Sequence, residues 1–263
     1  MVNNILELTN LSLPFAFKNL SISFPNNTFI TISGPNNCGK TTLIKTLSGI
    51  NITNGNVFIL SNDIATYKQN DLGKIISTII PERIEFNFST LEDELNYLVY
   101  KNYISKNDTH SNNIIKSLGL TKYLKQDLKK ISTGEQIKCI LALSIIKKNK
   151  IILLDDILKY FTDKDKKKIT NVLLEYKKIE KATIIMTTSN LEDSLYSDYL
   201  YIIDNEKVVL KGSPLDVLEK DNILNKLGLN LPFMLDLSVK LRDYDLISEL
   251  ELDQERLVEK LWN

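Results

Sequence analysis

The sequence predicts an α/β fold on a parallel sheet, with a helical insert and a short helical C-terminal extension. Three observations predict it. Strand and helix patterns alternate near the start and again after Lys150, with only helical patterns between. A glycine-containing loop, Gly34–Thr42, joins a strand to a helix. Ile151–Asp155 sets four apolar residues before a carboxylate, as a buried parallel strand ending at a ligand-binding sheet edge would.

Ile5–Leu13, Lys18–Phe24, Thr28–Ser33 and Asn56–Leu60 read as strands, because β-branched and aromatic residues run between Asn and Pro turns. One helix, Gly39–Gly49, starts after the loop and stops at a glycine. Lys74–Ile80 is an apolar strand that Pro81 ends. Ser89-Thr-Leu-Glu92 has the form of a capping box, and Leu91, Leu95, Leu98 and Val99 follow at helical spacing. Ile114–Leu118 and Tyr123–Leu128 read as short helices, and Ser132-Thr-Gly-Glu135 opens a longer one to Lys148. A Lys-rich helix, Lys164–Lys178, lies between the strands Ile151–Asp155 and Thr183–Thr188. Tyr199–Ile203 and Lys207–Leu210 pair as a hairpin across Asp204-Asn205-Glu206. Helical segments Ile223–Leu227, Leu235–Leu241 and Glu255–Trp262 close the chain. The expected organisation is a domain over 1–220, a helical subdomain about 88–148 within it, and an extension over 221–263 too short for its own core.

The 263 residues are 43% hydrophobic and 25% charged, which excludes disordered and fibrous classes. Lys+Arg 33 balances Asp+Glu 33, so no nucleic-acid partner is expected. The cysteines, Cys38 and Cys139, fit a reducing compartment rather than a disulfide framework. No secretory signal is read at the start, and no apolar run reaches the roughly 18 residues of a membrane span. The abundance of Asn, Ile and Lys reads as genome composition rather than function.

Gly34-Pro35-Asn36-Asn37-Cys38-Gly39-Lys40-Thr41-Thr42 fits the phosphate-binding pattern G-x-x-x-x-G-K-S/T between a strand and a helix. Glycines let backbone N–H groups approach phosphate oxygens, and the following helix N-terminus adds partial positive charge. In this pattern Lys40 reaches the β- and γ-phosphates of ATP and Thr41 ligates Mg²⁺. Asp155 supplies the expected Mg²⁺ carboxylate, and Asp156 follows where it can orient a water. Cys38 reads as a small filler, although nearby site amides could lower its pKa.

Ile131-Ser132-Thr133-Gly134-Glu135-Gln136, about twenty residues before Asp155, resembles the LSGGQ signature of ABC-type ATPases. Ser132 and Glu135 also have the form of a capping box, and both readings hold, since a capped helix N-terminus binds phosphate. The resemblance implies a P-loop NTPase, an ABC nucleotide-binding domain along roughly 1–220. Ser89–Leu95, Leu227–Leu237 and Arg256–Trp262 further resemble ATP-binding subunits of energy-coupling factor (ECF) transporters. That resemblance implies a vitamin or metal-ion importer at the cytoplasmic face of the membrane. Its partners would be a second ATPase subunit (identical or not), a transmembrane coupling protein and a membrane substrate-binding subunit. It gives the C-terminal helices a role in dimerisation. It also assigns Phe15 to stacking on adenine, although a core phenylalanine reads equally well. Paired head to tail, each ATP would lie between one chain's loop and Ser132, Thr133, Gly134 and Glu135 of the other.

The sequence departs from this family where water is activated. Asp156 stands where the family has Glu, and Ser189 where it has a γ-phosphate-contacting His. The expected Gln after Lys74–Ile80 is absent from Ile80-Pro81-Glu82-Arg83, and the turn after Asp155 reads Ile157-Leu-Lys-Tyr-Phe-Thr162. Two functions therefore compete: an ATPase that powers import, and a nucleotide-binding subunit with slow hydrolysis at its own loop. An ABC protein of ribosomes or DNA is the weaker third reading, because a second domain or a long coiled-coil insertion is missing.

Overall fold

The computed structural model describes residues 4–13, 16–50, 55–106, 108–251 and 254–262. Two sheets carry the fold. Strands β1 (Asn4–Leu13), β2 (Phe17–Pro25), β4 (Asn56–Ile59) and β5 (Asn62–Asp63) form an antiparallel sheet in the order β2-β1-β4-β5. Strands β3 (Phe29–Ser33), β6 (Ile76–Ile79), β7 (Ile151–Asp155), β8 (Thr183–Thr187), β9 (Tyr199–Asp204) and β10 (Lys207–Gly212) form the second, in the order β10-β9-β3-β8-β7-β6. Every pairing in the second sheet is parallel except β9 with β10.

Every residue of β3, β7 and β8 is buried, because helices cover both faces of the parallel sheet. The pleat divides their side chains between two cores. Ile151 and Leu153 pack with Leu43, Ile44 and Leu47 of α1 (Lys40–Leu47). Ile152 and Leu154 pack with Leu141 and Ile145 of α5 (Thr133–Ile146), and with Ile169 and Leu173 of α6 (Asp163–Glu180). Lys164, Lys167, Lys168 and Lys178 of α6 are exposed, while Lys177 reaches Asp198 at 2.7 Å.

The helical insert is α3 (Leu91–Tyr100), α4 (Thr109–Ser117) and α5. At its entry Glu94 is 4% exposed, and its carboxylate accepts from the backbone N–H groups of Asn87 (2.5 Å) and Phe88 (2.9 Å). Glu94→Leu would leave both donors short of an acceptor in a part-buried place, at a cost of about 1 kcal/mol. A lowered urea midpoint for Glu94→Leu, with a smaller loss for Glu94→Gln, is the expected result.

Several expectations move in the structure. Lys74 and Ile75 end a helix, α2 (Gln69–Ile75), rather than opening a strand. Helix α2 buries no residue, so no apolar periodicity announces it. The cap of α3 is Thr90, not Ser89. The Thr90 hydroxyl accepts from the Asp93 N–H at 3.1 Å, while the Ser89 carbonyl is taken by the N–H of Leu128. Tyr123–Leu128 is no helix: a single 3₁₀ turn, Thr121–Tyr123, leads to a bridge between Thr90 and Asp127. The hairpin forms as expected, with Asn205 and Glu206 both at positive φ in its turn.

Six of the thirteen non-glycine residues at positive φ, among those described, are asparagines. Asn tolerates the left-handed conformation because its short side chain hydrogen-bonds locally. Composition alone therefore does not account for the Asn-rich sequence; at these positions Asn makes the turns of a glycine-poor chain.

The C-terminal segment adds α7 (Pro214–Leu218), α8 (Asp221–Lys226), α9 (Phe233–Asp243) and α10 (Gln254–Trp262). Leu218, Leu224, Leu229 and Leu235 pack onto Leu200 and Ile202 of β9. Helices α7, α8 and α9 therefore share a third core with the sheet.

Candidate phosphate-binding site

The candidate site lies along the C-terminal edge of the parallel sheet, where the segments after β3, β6, β7 and β8 meet. It is a cleft of about 440 Å³, lined by residues that include Asn36, Asn37, Gly39, Lys40, Thr41 and Thr42 from the loop and Asp155, Asp156 and Ser189 opposite. The structure thus gathers most of the loop and carboxylate residues singled out in the sequence.

The loop has its shape because two glycines permit it. A Cβ at Gly34 would lie 2.1 Å from the carbonyl oxygen of Ile203. Gly39 has φ +97°, and a Cβ there would meet the Phe17 ring at 2.8 Å. A Pro35 carbonyl–Cys38 N–H bond closes the turn, and Asn37 takes positive φ within it. No side chain caps α1, which leaves its first-turn N–H groups for an incoming anion. The Lys40 ammonium bridges the carbonyls of Gly34 (2.7 Å) and Pro35 (2.8 Å). Cys38 is half-buried, and burial pushes its thiol pKa up, with Lys40 pulling part of the way back. It is a packed filler rather than an activated thiol. Cys139, in α5, is buried and pushed up to about 12.

Across the cleft, Asp155 is 4% exposed and accepts a 2.7 Å hydrogen bond from the Thr187 hydroxyl. Asp156 has φ +47°, and its N–H donates to the Thr187 hydroxyl (3.0 Å) and carbonyl (3.2 Å). Its carboxylate accepts from the Ser189 N–H at 3.4 Å and pairs with Lys159 at 3.0 Å. Burial pulls the Lys159 pKa down, but the bond and attraction to Asp156, aided by Tyr160 and Glu82, raise it on balance. Ser189 is held by Thr188, whose hydroxyl donates to Asp193 at 2.8 Å, and Asp193 in turn pairs with Lys166 at 3.0 Å.

Three lining residues had no role from sequence: Glu82, Lys159 and Thr187. Glu82 and Lys159 sit inside the two segments that depart from the family pattern, which was the available signal. Phe15 lies outside the described residues. Its neighbour Ala16 lines a second hollow beside the loop, of about 320 Å³, with Cys38, Asp204 and Glu206.

Ser132, Thr133, Gly134 and Glu135 do not line the phosphate cleft; they open α5. Ser132 and Glu135 form the capping box, with the Ser132 hydroxyl 2.7 Å from the Glu135 carboxylate. The Tyr123 hydroxyl also donates to Glu135. Ser132 is exposed.

The fold is shared with solved structures. Clostridium perfringens cbiO1, described as part of the ABC transporter complex cbiONQ, superposes with a TM-score of 0.68 at 20% identity, covering 88% of this chain and 96% of that one. A bacterial Atm1-family ABC exporter gives 0.72 at 19% identity, covering 87% of this chain and 42% of that longer chain. Among curated sequences, an energy-coupling factor transporter ATP-binding protein of Mycoplasma mobile is 25% identical, over 93% of this chain and 89% of its own length. One of Clostridioides difficile is 25% identical over 90% of each. A spermidine/putrescine import ATP-binding protein of Borreliella afzelii is 29% identical over 82% of this chain and 65% of its own. The ABC transporter family model matches residues 17–159, more than half of the chain, and spans both the phosphate loop and Asp155. This match makes the chain a member of the ABC transporter family, resembling the ECF ATP-binding subunits.

Proposed function

We propose that the chain is an ATP-binding subunit of an ECF-type importer of a vitamin or metal ion, acting at the cytoplasmic face of the membrane. The observation that carries it is the cleft itself: the Gly34–Thr42 loop and Lys40 on one side, Asp155 and Asp156 on the other. The similarity of ECF ATP-binding proteins along nine-tenths of the chain supports the transporter class. No helix among the described residues is long and apolar enough to cross a membrane, so the membrane-spanning parts fall to other subunits in this reading.

The donor set suits Mg²⁺, which keeps most of its waters and takes one or two protein oxygens besides phosphate. Asp155, oriented by Thr187, and the Thr41 hydroxyl line the same cleft and would hold it. Bound there, the ion neutralises developing charge on phosphate oxygens. Lys40 and the first-turn amides of α1 hold the phosphates, and Gly39 keeps the backbone close enough to do so. Gly34, Pro35, Asn36, Asn37, Cys38 and Thr42 shape the cradle, while Phe15 would meet adenine.

A division of labour follows from the far wall. Asp156 is one methylene shorter than Glu and is held by Lys159, and Ser189 has no imidazole to offer. The chain therefore retains ATP with slow turnover at its own loop. Ser132, Thr133, Gly134 and Glu135 complete the competent site of a partner ATPase. The extension over 221–263, where Phe233, Tyr244 and Leu246 stand exposed, contributes to that pairing.

Lys40→Ala removes a charge-assisted contact worth about 1.5–3 kcal/mol, and should weaken Mg²⁺-ATP binding roughly 10–100-fold. Isothermal titration of both proteins measures this. Equal affinities would sink the assignment.

A further inference from the structure

Lys159 has no counterpart among the features that the loop pattern explains. Its ammonium lies 3.0 Å from Asp156 and 5.4 Å from the Tyr160 ring centre, and its side chain is 50% exposed. A half-exposed ion pair stabilises a fold little, so stability does not account for its place on the cleft wall. Electrostatics of the cleft do. Three carboxylates, Glu82, Asp155 and Asp156, line it against two ammonium groups, Lys40 and Lys159. An anion that enters meets like charge unless those carboxylates are compensated.

The strand order sets where each cation acts. The cleft runs from the loop after β3, past Ser189 after β8, to Asp156 and Lys159 after β7, and to Glu82 after β6. Lys40 opens α1 after β3 and Lys159 lies in the turn after β7, on segments that follow strands two places apart in the sheet. A diphosphate held by the loop is served by Lys40. A third phosphate would extend toward the β8 and β7 side of the cleft, where Lys159 pairs with Asp156.

We propose that Lys159 determines selectivity for the terminal phosphate: it compensates Asp156 and favours a nucleoside triphosphate over a diphosphate. The inference rests on the nucleotide reading above. It gives the altered turn after Asp155 a task, namely sensing the third phosphate in the chain that binds it.

The test compares the dissociation constants of a non-hydrolysable ATP analogue and of ADP, each with Mg²⁺, by isothermal titration. Lys159→Met should weaken the triphosphate roughly tenfold, because the Asp156 charge then faces the third phosphate uncompensated, and the diphosphate less than twofold. Lys159→Arg should keep the wild-type ratio, which separates charge from any disturbance of the turn. An unchanged ratio in Lys159→Met, with Lys40→Ala still weakening both ligands, overturns the role of Lys159 and leaves the nucleotide site standing. Absence of binding by the wild-type protein overturns both.

Discussion

In the proposed complex with a partner ATPase and membrane subunits, Gly134→Asp should abolish most ATP hydrolysis, while Lys40→Ala in the same chain should cost far less. The reasoning starts from where Gly134 lies. It occupies the first turn of α5, beside the exposed cap Ser132, at a helix end that favours anions. If this end faces a partner's γ-phosphate, a carboxylate at 134 brings like charge against it, and loss of a preorganised donor site costs on the order of 10²–10³ in turnover. In the proposed division of labour Lys40 serves only the slow site, so its removal would leave the competent one intact. Thr133 adds bulk where the family has glycine, and it is the irregular feature of this surface.

The structure supplies the control. A Cβ at Gly134 would sit 3.1 Å from the Tyr160 carbonyl oxygen and 3.2 Å from the Phe161 ring, so even alanine crowds the turn after Asp155. Gly134→Ala measures that crowding alone, and the excess loss in Gly134→Asp reports the charge. Steady-state ATPase and substrate uptake in the same membranes decide between the models. Comparable losses from Gly134→Asp and Lys40→Ala would indicate two equivalent sites. A larger loss from Lys40→Ala would reject the asymmetric arrangement.

What the sequence makes legible follows from how local each cause is. Strand β7 and helix α6 are readable because burial fixes their patterns: four apolar residues before Asp155, and Ile169, Val172, Leu173 and Tyr176 on one helical face. The phosphate loop is readable because strand, glycines, lysine and helix are contiguous. Helix α2 buries nothing, so periodicity cannot reveal it. The cap of α3 shifts by one residue because Ser89 is drawn into a tertiary hydrogen bond with Leu128. The far wall of the cleft is hidden for the same kind of reason. Thr187, Lys159 and Glu82 meet only through the order β8-β7-β6, and no sequence spacing encodes that neighbourhood.

The second large effect concerns turnover at this chain's own loop, where Asp156→Glu combined with Ser189→His should raise hydrolysis about a hundredfold. Two groups would act on the attacking water, and positioned acid–base groups contribute about 10²–10⁴-fold. In the slow-site reading Asp156 positions a water poorly. Its side chain is short, its carboxylate is held by Lys159 at 3.0 Å and the Ser189 N–H at 3.4 Å, and its backbone is left-handed. Glu extends the carboxylate by a methylene past that pairing, at a modest conformational cost, since Glu tolerates positive φ less well than Asp. His at 189 follows directly on Thr188, which Asp193 and Lys166 already anchor, so the imidazole would stand on a fixed support. The missing Gln after the β6 segment limits the gain, and Glu82 adds a further carboxylate to the same cleft. Single-turnover hydrolysis of Mg²⁺-ATP by the wild-type, single and double variants measures the effect. The double variant should exceed the sum of the single gains, because the two groups hold one water between them. No gain in the double variant, with nucleotide affinity unchanged, would place the lesion elsewhere in the cleft. Rapid single-turnover hydrolysis by the unmodified chain would refute the slow site outright.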